Sequence, residues 1–206
     1  PELIVAPLEF HRANVLAKLE ELKIPVLLLE ATSLEQVFAH IHTLGRIFDR
    51  STAAHALTAE MRQQMADISR RTEGLSRTRV LYVINSQPLI TVGPGSYIHQ
   101  MIGLAGGINI ASGAATAYPR LTMETVLKED PQILIFPRGS VETVPRSEQE
   151  AWRRWTTLTA VQENRLREVS ADALNRPGPR VMQGLEALAR VIHPEAFASE
   201  STAAQP

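Results

Sequence analysis

The sequence predicts an α/β fold: two lobes of parallel strands and covering helices joined by one long helix, the amino-terminal lobe incomplete. Three observations predict it. Short unbroken apolar runs alternate with segments of helical period along most of the chain, the pattern of a parallel sheet with crossover helices. One helical segment, Ser51 to Glu73, is much longer than the rest. The chain is in strand pattern by Leu3–Ala6, so it is expected to be the later part of a longer lobe. The expected units are 1–50, the remainder of the amino-terminal lobe; 51–74, the connecting helix; 75–197, a complete carboxy-terminal lobe; and 198–206, a small polar tail expected to be disordered. Such an arrangement suits a binding protein better than an enzyme.

The elements follow in order. Leu3–Ala6 reads as a buried strand. His11 to Leu22 has helical spacing, with Val15, Leu16, Leu19 and Leu22 on one face. Pro25–Leu29 is the next strand, and its unbroken apolar run predicts a parallel strand covered on both faces. Thr32 with Glu35, and Ser33 with Gln36, fit the spacing of a helix-starting capping box; that helix carries Val37, Ile41, Leu44 and Phe48. From Ser51 to Glu73 apolar residues recur every three or four positions, giving a helix of about 33 Å at about 1.5 Å per residue, ended by Gly74.

The second half restarts the α/β pattern. Strands are predicted at Val80–Ile84, Leu89–Val92, Gln132–Phe136 and Arg165–Val169. Helices are predicted at Tyr97–Leu104, at Met123–Lys128 capped by Thr122, from a Ser147/Glu150 capping box through Trp152 and Trp155, and at Arg180–Ile192. Residues 111–120 are small, polar and glycine-bearing and read as a loop.

Composition narrows the function. The 206 residues are 44% hydrophobic and 21% charged, enough apolar content for packed cores. A net charge of -1 gives no electrostatic reason for a nucleic-acid partner. With no cysteine, disulfides and thiolate metal sites are excluded. No apolar run reaches the roughly 20 residues needed to span a bilayer. No Ser/His/Asp grouping or Gly-x-Ser-x-Gly stands out, so no catalytic residue is named. Gly93-Pro94-Gly95-Ser96 precedes a helix and could cradle a phosphate, but it lacks the Lys-Ser/Thr of a P-loop; a tight turn with a helix cap is the simpler reading. His40 and His42 invite a metal pair, yet residues two apart on a helix face different ways, and no metal site is predicted.

Seven segments, in this order, resemble the substrate-binding proteins of ABC importers for cobalamin and iron chelates: Pro1–Ala6, Lys23-Ile24-Pro25-Val26, Ala31–Gln36, Gly93–Ile98, Ala105–Ile110, Asp130–Ile135 and Arg176-Pro177-Gly178-Pro179-Arg180. Loop lengths, especially from Ala6 to Val26, are closest to the cobalamin-binding branch. The resemblance implies two Rossmann-like lobes joined by a rigid helix, with ligand held in the cleft between them. It also implies that roughly the first half of the amino-terminal lobe, the scale of a ~50-residue βαβ pair, precedes the segment seen here.

In open α/β sheets, ligands bind beyond the carboxyl ends of strands. That rule selects the loops after Ala6, Ile84, Phe136 and Val169, and the resemblance puts the cleft at the same loops. The candidate ligand contacts are Phe10, Asn85, Gln87, Tyr97, Tyr118, Arg138 and Arg176. For the tyrosines, ordinary lobe packing with the hydroxyl reaching water is an equal reading; Arg138 reads also as a solvated loop residue, and Arg180 as structural, bonding exposed backbone. The resemblance implies docking to a permease through one carboxylate per lobe, near Ala13 and Asn175. Neither is acidic; Glu9 and Asp172, within about one helical turn, are the substitutes.

The implied function is an extracytoplasmic, periplasmic carrier, not an enzyme. It would bind a corrinoid and deliver it to the permease of an ABC importer, with a ferric siderophore or haem as alternative cargo and no cofactor of its own. Two readings of other classes stay open: a Rossmann-like enzyme using the Gly93–Ser96 loop for a phosphate, and an interaction or sensor module. An exposed parallel sheet edge in the amino-terminal part would invite self-association.

Overall fold

The computed structural model describes residues 1–7, 13–139 and 144–198. Two parallel sheets carry the architecture. The first is a ribbon of β1 (Ile4–Pro7) and β2 (Val26–Leu29), joined through helix α1 (Ala13–Glu21), with Ile4 opposite Val26 and Pro7 opposite Leu29. The second is four-stranded, in the order β6-β3-β7-β8, and every adjacent pair is parallel. Its strands are β3 (Thr78–Tyr82), β6 (Gly107–Asn109), β7 (Ile133–Arg138) and β8 (Leu166–Ser170). Between β3 and β6 lies a small antiparallel hairpin, β4 (Asn85–Ser86) and β5 (Leu89–Ile90).

The four-stranded sheet is covered on both faces, and successive strand residues alternate between the two sides, as the two-residue period of a strand requires. Val80, Tyr82, Ile133 and Ile135 enter one apolar cluster. Leu81, Val83, Leu134 and Phe136 enter the other. The first is closed by α3 (Ser51–Thr72), α4 (Tyr97–Leu104) and α9 (Val181–Ile192). The second is closed by Val126 of α5 (Met123–Glu129), by Trp152, and by Leu158 and Ala160 around α7 (Thr159–Gln162). Trp152 is core and Trp155 half-buried.

Helix α2 (Leu34–Ile47) ties the ribbon to this body. Its Leu34, Val37 and Phe38 belong to the same cluster as Met61 of α3 and Met101 of α4, so the core runs unbroken across the expected boundary at 50. Gln100 accepts from the Leu34 N–H at 3.0 Å. Arg62 grips Glu35 with two bonds of 2.6 and 2.7 Å and lies over the Phe38 ring.

The structure departs from the sequence reading in several places. The β2 run is half-exposed along its whole length, not covered on both faces, because among the described residues the ribbon has two strands and lacks the second layer that the larger sheet has. Ser147 does not cap a helix. Helix α6 (Arg146–Ala151) starts two residues earlier, after Pro145, whose carbonyl accepts from the N–H groups of Glu148 and Gln149; proline holds a helix-ready φ at that corner. The strand expected at Leu89–Val92 is present as β5 but spans only Leu89–Ile90, while β4, β6, α7 and the single turn α8 (Ala171–Leu174) are too short for a periodicity to reveal. Thr122 and Ser96 cap α5 and α4 as expected. Ser33 caps α2 through the Gln36 N–H, but the Gln36 side chain returns to the Thr32 N–H, not to that of Ser33.

Candidate ligand-binding cleft

A cleft of about 970 Å³ opens between the carboxyl ends of the two sheets. One wall is built by Val5–Pro7 at the end of β1, Leu29–Ala31 at the end of β2, and His40 and Leu44 of α2. The other is built by Gly139 after β7, by Ala171 and Asp172 of α8 after β8, and by the 175–180 loop, with Tyr97 and Tyr118 completing it. Both sheets place their carboxyl ends here, where ligands sit in open α/β folds. The volume is at the upper end for small-molecule sites, and a mostly apolar lining with a few polar groups is the usual chemistry of one.

Two buried phenols fix the second wall. The Tyr82 hydroxyl donates to Asn175 Oδ1 at 2.8 Å, and the Tyr97 hydroxyl donates to the Leu174 carbonyl at 2.8 Å. Tyr82 is fully buried and Tyr97 nearly so. The corner that launches the Arg176–Arg180 loop is therefore held to β3 and to the first residue of α4. Tyr97 lines the cleft, and its hydroxyl is engaged by the backbone. Tyr118, half-exposed, presents its ring more openly.

Charge is unevenly spread. Arg176 Nε donates to Asp172 Oδ1 at 2.9 Å, so a candidate ligand residue and a candidate docking residue hold each other at the rim. Arg180 lines the cleft and is exposed, and its guanidinium has no hydrogen-bond or ion-pair partner among the described residues; the side chain does not bond backbone as its place beside a Pro-Gly-Pro turn suggested. Burial of the His40 imidazole lowers its pKa.

Of the candidate contacts, Tyr97, Tyr118 and Arg176 come together in the lining. Asn85 and Gln87 lie on the hairpin beyond β3, where Asn85 Nδ2 donates to the Pro88 carbonyl at 2.9 Å; neither lines the cleft. Arg138, at the end of β7, pairs with Glu168 at 2.9 Å and is also outside the lining. Burial would raise the Glu168 carboxyl, but the Gln149 and Arg138 hydrogen bonds outweigh it and hold the pKa below the usual value. Phe10 and Glu9 lie outside the described residues. Sequence reasoning passed over His40 as a cleft residue, and also Glu30, Leu44 and Asn175; only the strand-end rule applied to β2 would have pointed at Glu30.

The Gly93–Ser96 turn is occupied with packing. A Cβ at Gly93 would collide with the Thr116 carbonyl, its N–H donates to the Ala117 carbonyl at 2.8 Å, and Ser96 Oγ accepts from the Ile98 N–H. The small residues serve the close crossing of the 111–120 loop. The histidine pair is also resolved: His40 faces the cleft, while His42 bonds Thr58 at 3.1 Å and stacks on His55 with ring centres 4.4 Å apart.

Two parallel sheets joined through helices, with a cleft between their carboxyl ends, are the frame of a two-lobed α/β protein. The periplasmic binding protein family matches residues 1–173, and the chain belongs to that family. A vitamin B12-binding protein of Vibrio cholerae is 26% identical over 187 residues, covering 90% of this chain and 66% of the relative. The chain thus spans just under two thirds of the length of that curated relative. Among solved structures, the periplasmic vitamin B12 binding protein of Vibrio cholerae superposes with a TM-score of 0.75 at 26% identity, covering 96% of this chain and 75% of that one. An ABC-type Fe3+-hydroxamate transport system protein of Saccharomonospora viridis gives 0.73 at 27%, covering 96% and 69%.

Proposed function

We propose that the chain is the extracytoplasmic solute-binding component of an ABC importer and that it carries a corrinoid in the cleft to the permease. The observation that carries this is the cleft itself: about 970 Å³, mostly apolar, and walled by the carboxyl ends of both parallel sheets. Similar identity to a vitamin B12-binding protein and to an Fe3+-hydroxamate transport protein supports a metal chelate as the cargo class. Loop lengths from Ala6 to Val26 favour the corrinoid; a ferric siderophore or haem is the alternative.

Tyr97, Tyr118 and Arg176 are the contacts supported by their place in the lining. Phe10, Asn85, Gln87 and Arg138 are further candidates on loops at strand ends. Glu9 and Asp172 are the proposed docking carboxylates, and Asp172 would exchange Arg176 for a permease arginine on docking. Self-association through the ribbon, whose outer edges are unpaired among the described residues, is a further part of the proposal; sedimentation across a concentration series would show a growing dimer fraction, and a strictly monomeric profile would remove this part.

Calorimetric titration with cyanocobalamin and, in parallel, a ferric hydroxamate tests the reading. Saturable binding of the corrinoid supports it as stated. Binding of the ferric chelate alone keeps the carrier and changes the cargo. Heat from neither would count against a chelate carrier.

A further inference from the structure

We propose that His40 is the donor that meets the metal of the cargo, its imidazole taking an exchangeable axial position of a cobalt or iron macrocycle held in the cleft. This deepens the carrier reading and rests on it.

Four of the described histidines are committed elsewhere. His42 and His55 are stacked on each other, His99 is bonded to Asn109 at 3.0 Å, and His193 lies between Glu195 and the Gly106 carbonyl. His40 alone among them lines the cleft, half-buried and with no hydrogen-bond or ion-pair partner among the described residues. Leu44, one turn further along α2, lines the same wall, so this helix face looks into the cavity. Burial favours the neutral imidazole, whose lone pair is the one a metal uses.

The surroundings narrow the ligand class. A bare cation needs three or four protein donors, and no group of three histidine or acidic side chains placed to hold a metal exists among the described residues. A single imidazole in a large apolar cleft suits a metal that brings its equatorial ligands with it and leaves one axial position open. Imidazole suits iron and cobalt alike. On binding, the metal–oxygen bond to an axial water breaks, a metal–nitrogen bond to His40 forms, and the water leaves; no electron is transferred.

The test uses aquocobalamin, whose axial water exchanges, against cyanocobalamin, whose axial cyanide resists exchange. The visible bands of aquocobalamin should shift on binding to the unaltered chain, and its affinity should exceed that of cyanocobalamin by about tenfold. In His40→Ala, checked for folding by circular dichroism, the shift and the preference should vanish while cyanocobalamin still binds, and added imidazole should restore the shift. Leu44→Ala should weaken both corrinoids alike and keep the shift. Unchanged bands on binding, or a shift that survives His40→Ala, would overturn the assignment and leave the carrier intact. So would binding of a ferric hydroxamate alone, since its iron has no open position. Binding of none of these chelates would remove the carrier reading and this assignment together.

Discussion

The two parallel sheets are written in nearly the same residues and are buried very differently. In the four-stranded sheet Val80, Leu81, Tyr82 and Ile133–Phe136 are fully shielded from solvent. In the ribbon every residue from Val26 to Leu29 is half-exposed, and Val5 is 42% exposed. An apolar run is enough to make a strand; shielding needs a helix layer on each face, and among the described residues only the larger sheet has both. The larger sheet is therefore the more firmly packed wall of the cleft, and the described ribbon the less firmly packed one.

Truncation at matched positions should expose that difference most strongly. Leu134→Ala, in the middle of the larger sheet, should cost about 2–5 kcal/mol in urea unfolding, as cavities in packed cores do. Leu27→Ala, in the ribbon, should cost less than about 1 kcal/mol. Equal losses would break the comparison.

A smaller effect separates packed from open backbone. Gly106 and Gly74 both have φ near +80°, a region that disfavours side chains. A Cβ at Gly106 would lie 2.7 Å from His193 Nε2 and 3.0 Å from Thr72 Cβ, whereas one at Gly74 meets nothing within 4 Å. Gly106→Ala should therefore lower stability by about 1–3 kcal/mol, and Gly74→Ala by about 1 kcal/mol, its backbone strain alone.

Acid sensitivity should belong to the region of the larger sheet. Burial would raise the Asp130 carboxyl, but the Thr159 N–H and hydroxyl, with Arg79, outweigh it and hold the pKa below its ordinary 3.8. A depressed carboxylate stabilises the fold above its unfolded pKa, and that contribution is lost as pH falls below about 4. Asp130→Asn should reduce stability at pH 7 by about 1 kcal/mol and flatten the acid limb of a pH–stability curve. At the seam between the regions, Arg62→Ala should cost only about 0.5 kcal/mol, because the Arg62–Glu35 pair is exposed.

The larger elements were legible in the sequence because their signals are local. Helix caps at Ser33, Ser96 and Thr122, the 22-residue α3 and the apolar strand runs depend on neighbours along the chain. The lobes, the connecting helix and the family could be read from these and from seven short segments. The missed elements, β6 and α8, have three and four residues, less than two periods of anything. The site was legible by region but not by side chain. The strand-end rule found the 170–176 loop, yet nothing local shows that Arg138 turns to Glu168 or that His40, not His42, faces the cavity. Those choices are made by packing between elements distant in sequence.

If both regions, unequal as they are, hold one ligand, that ligand should protect both. Hydrogen–deuterium exchange with and without saturating corrinoid tests it directly. Exchange should be fast in β1 and β2 of the free chain and slow in β3 and β7, with ligand protection on both walls, at 29–31 and 40–44 as well as at 171–180. Protection confined to the larger sheet, or none at a concentration where binding is saturated, would contradict it.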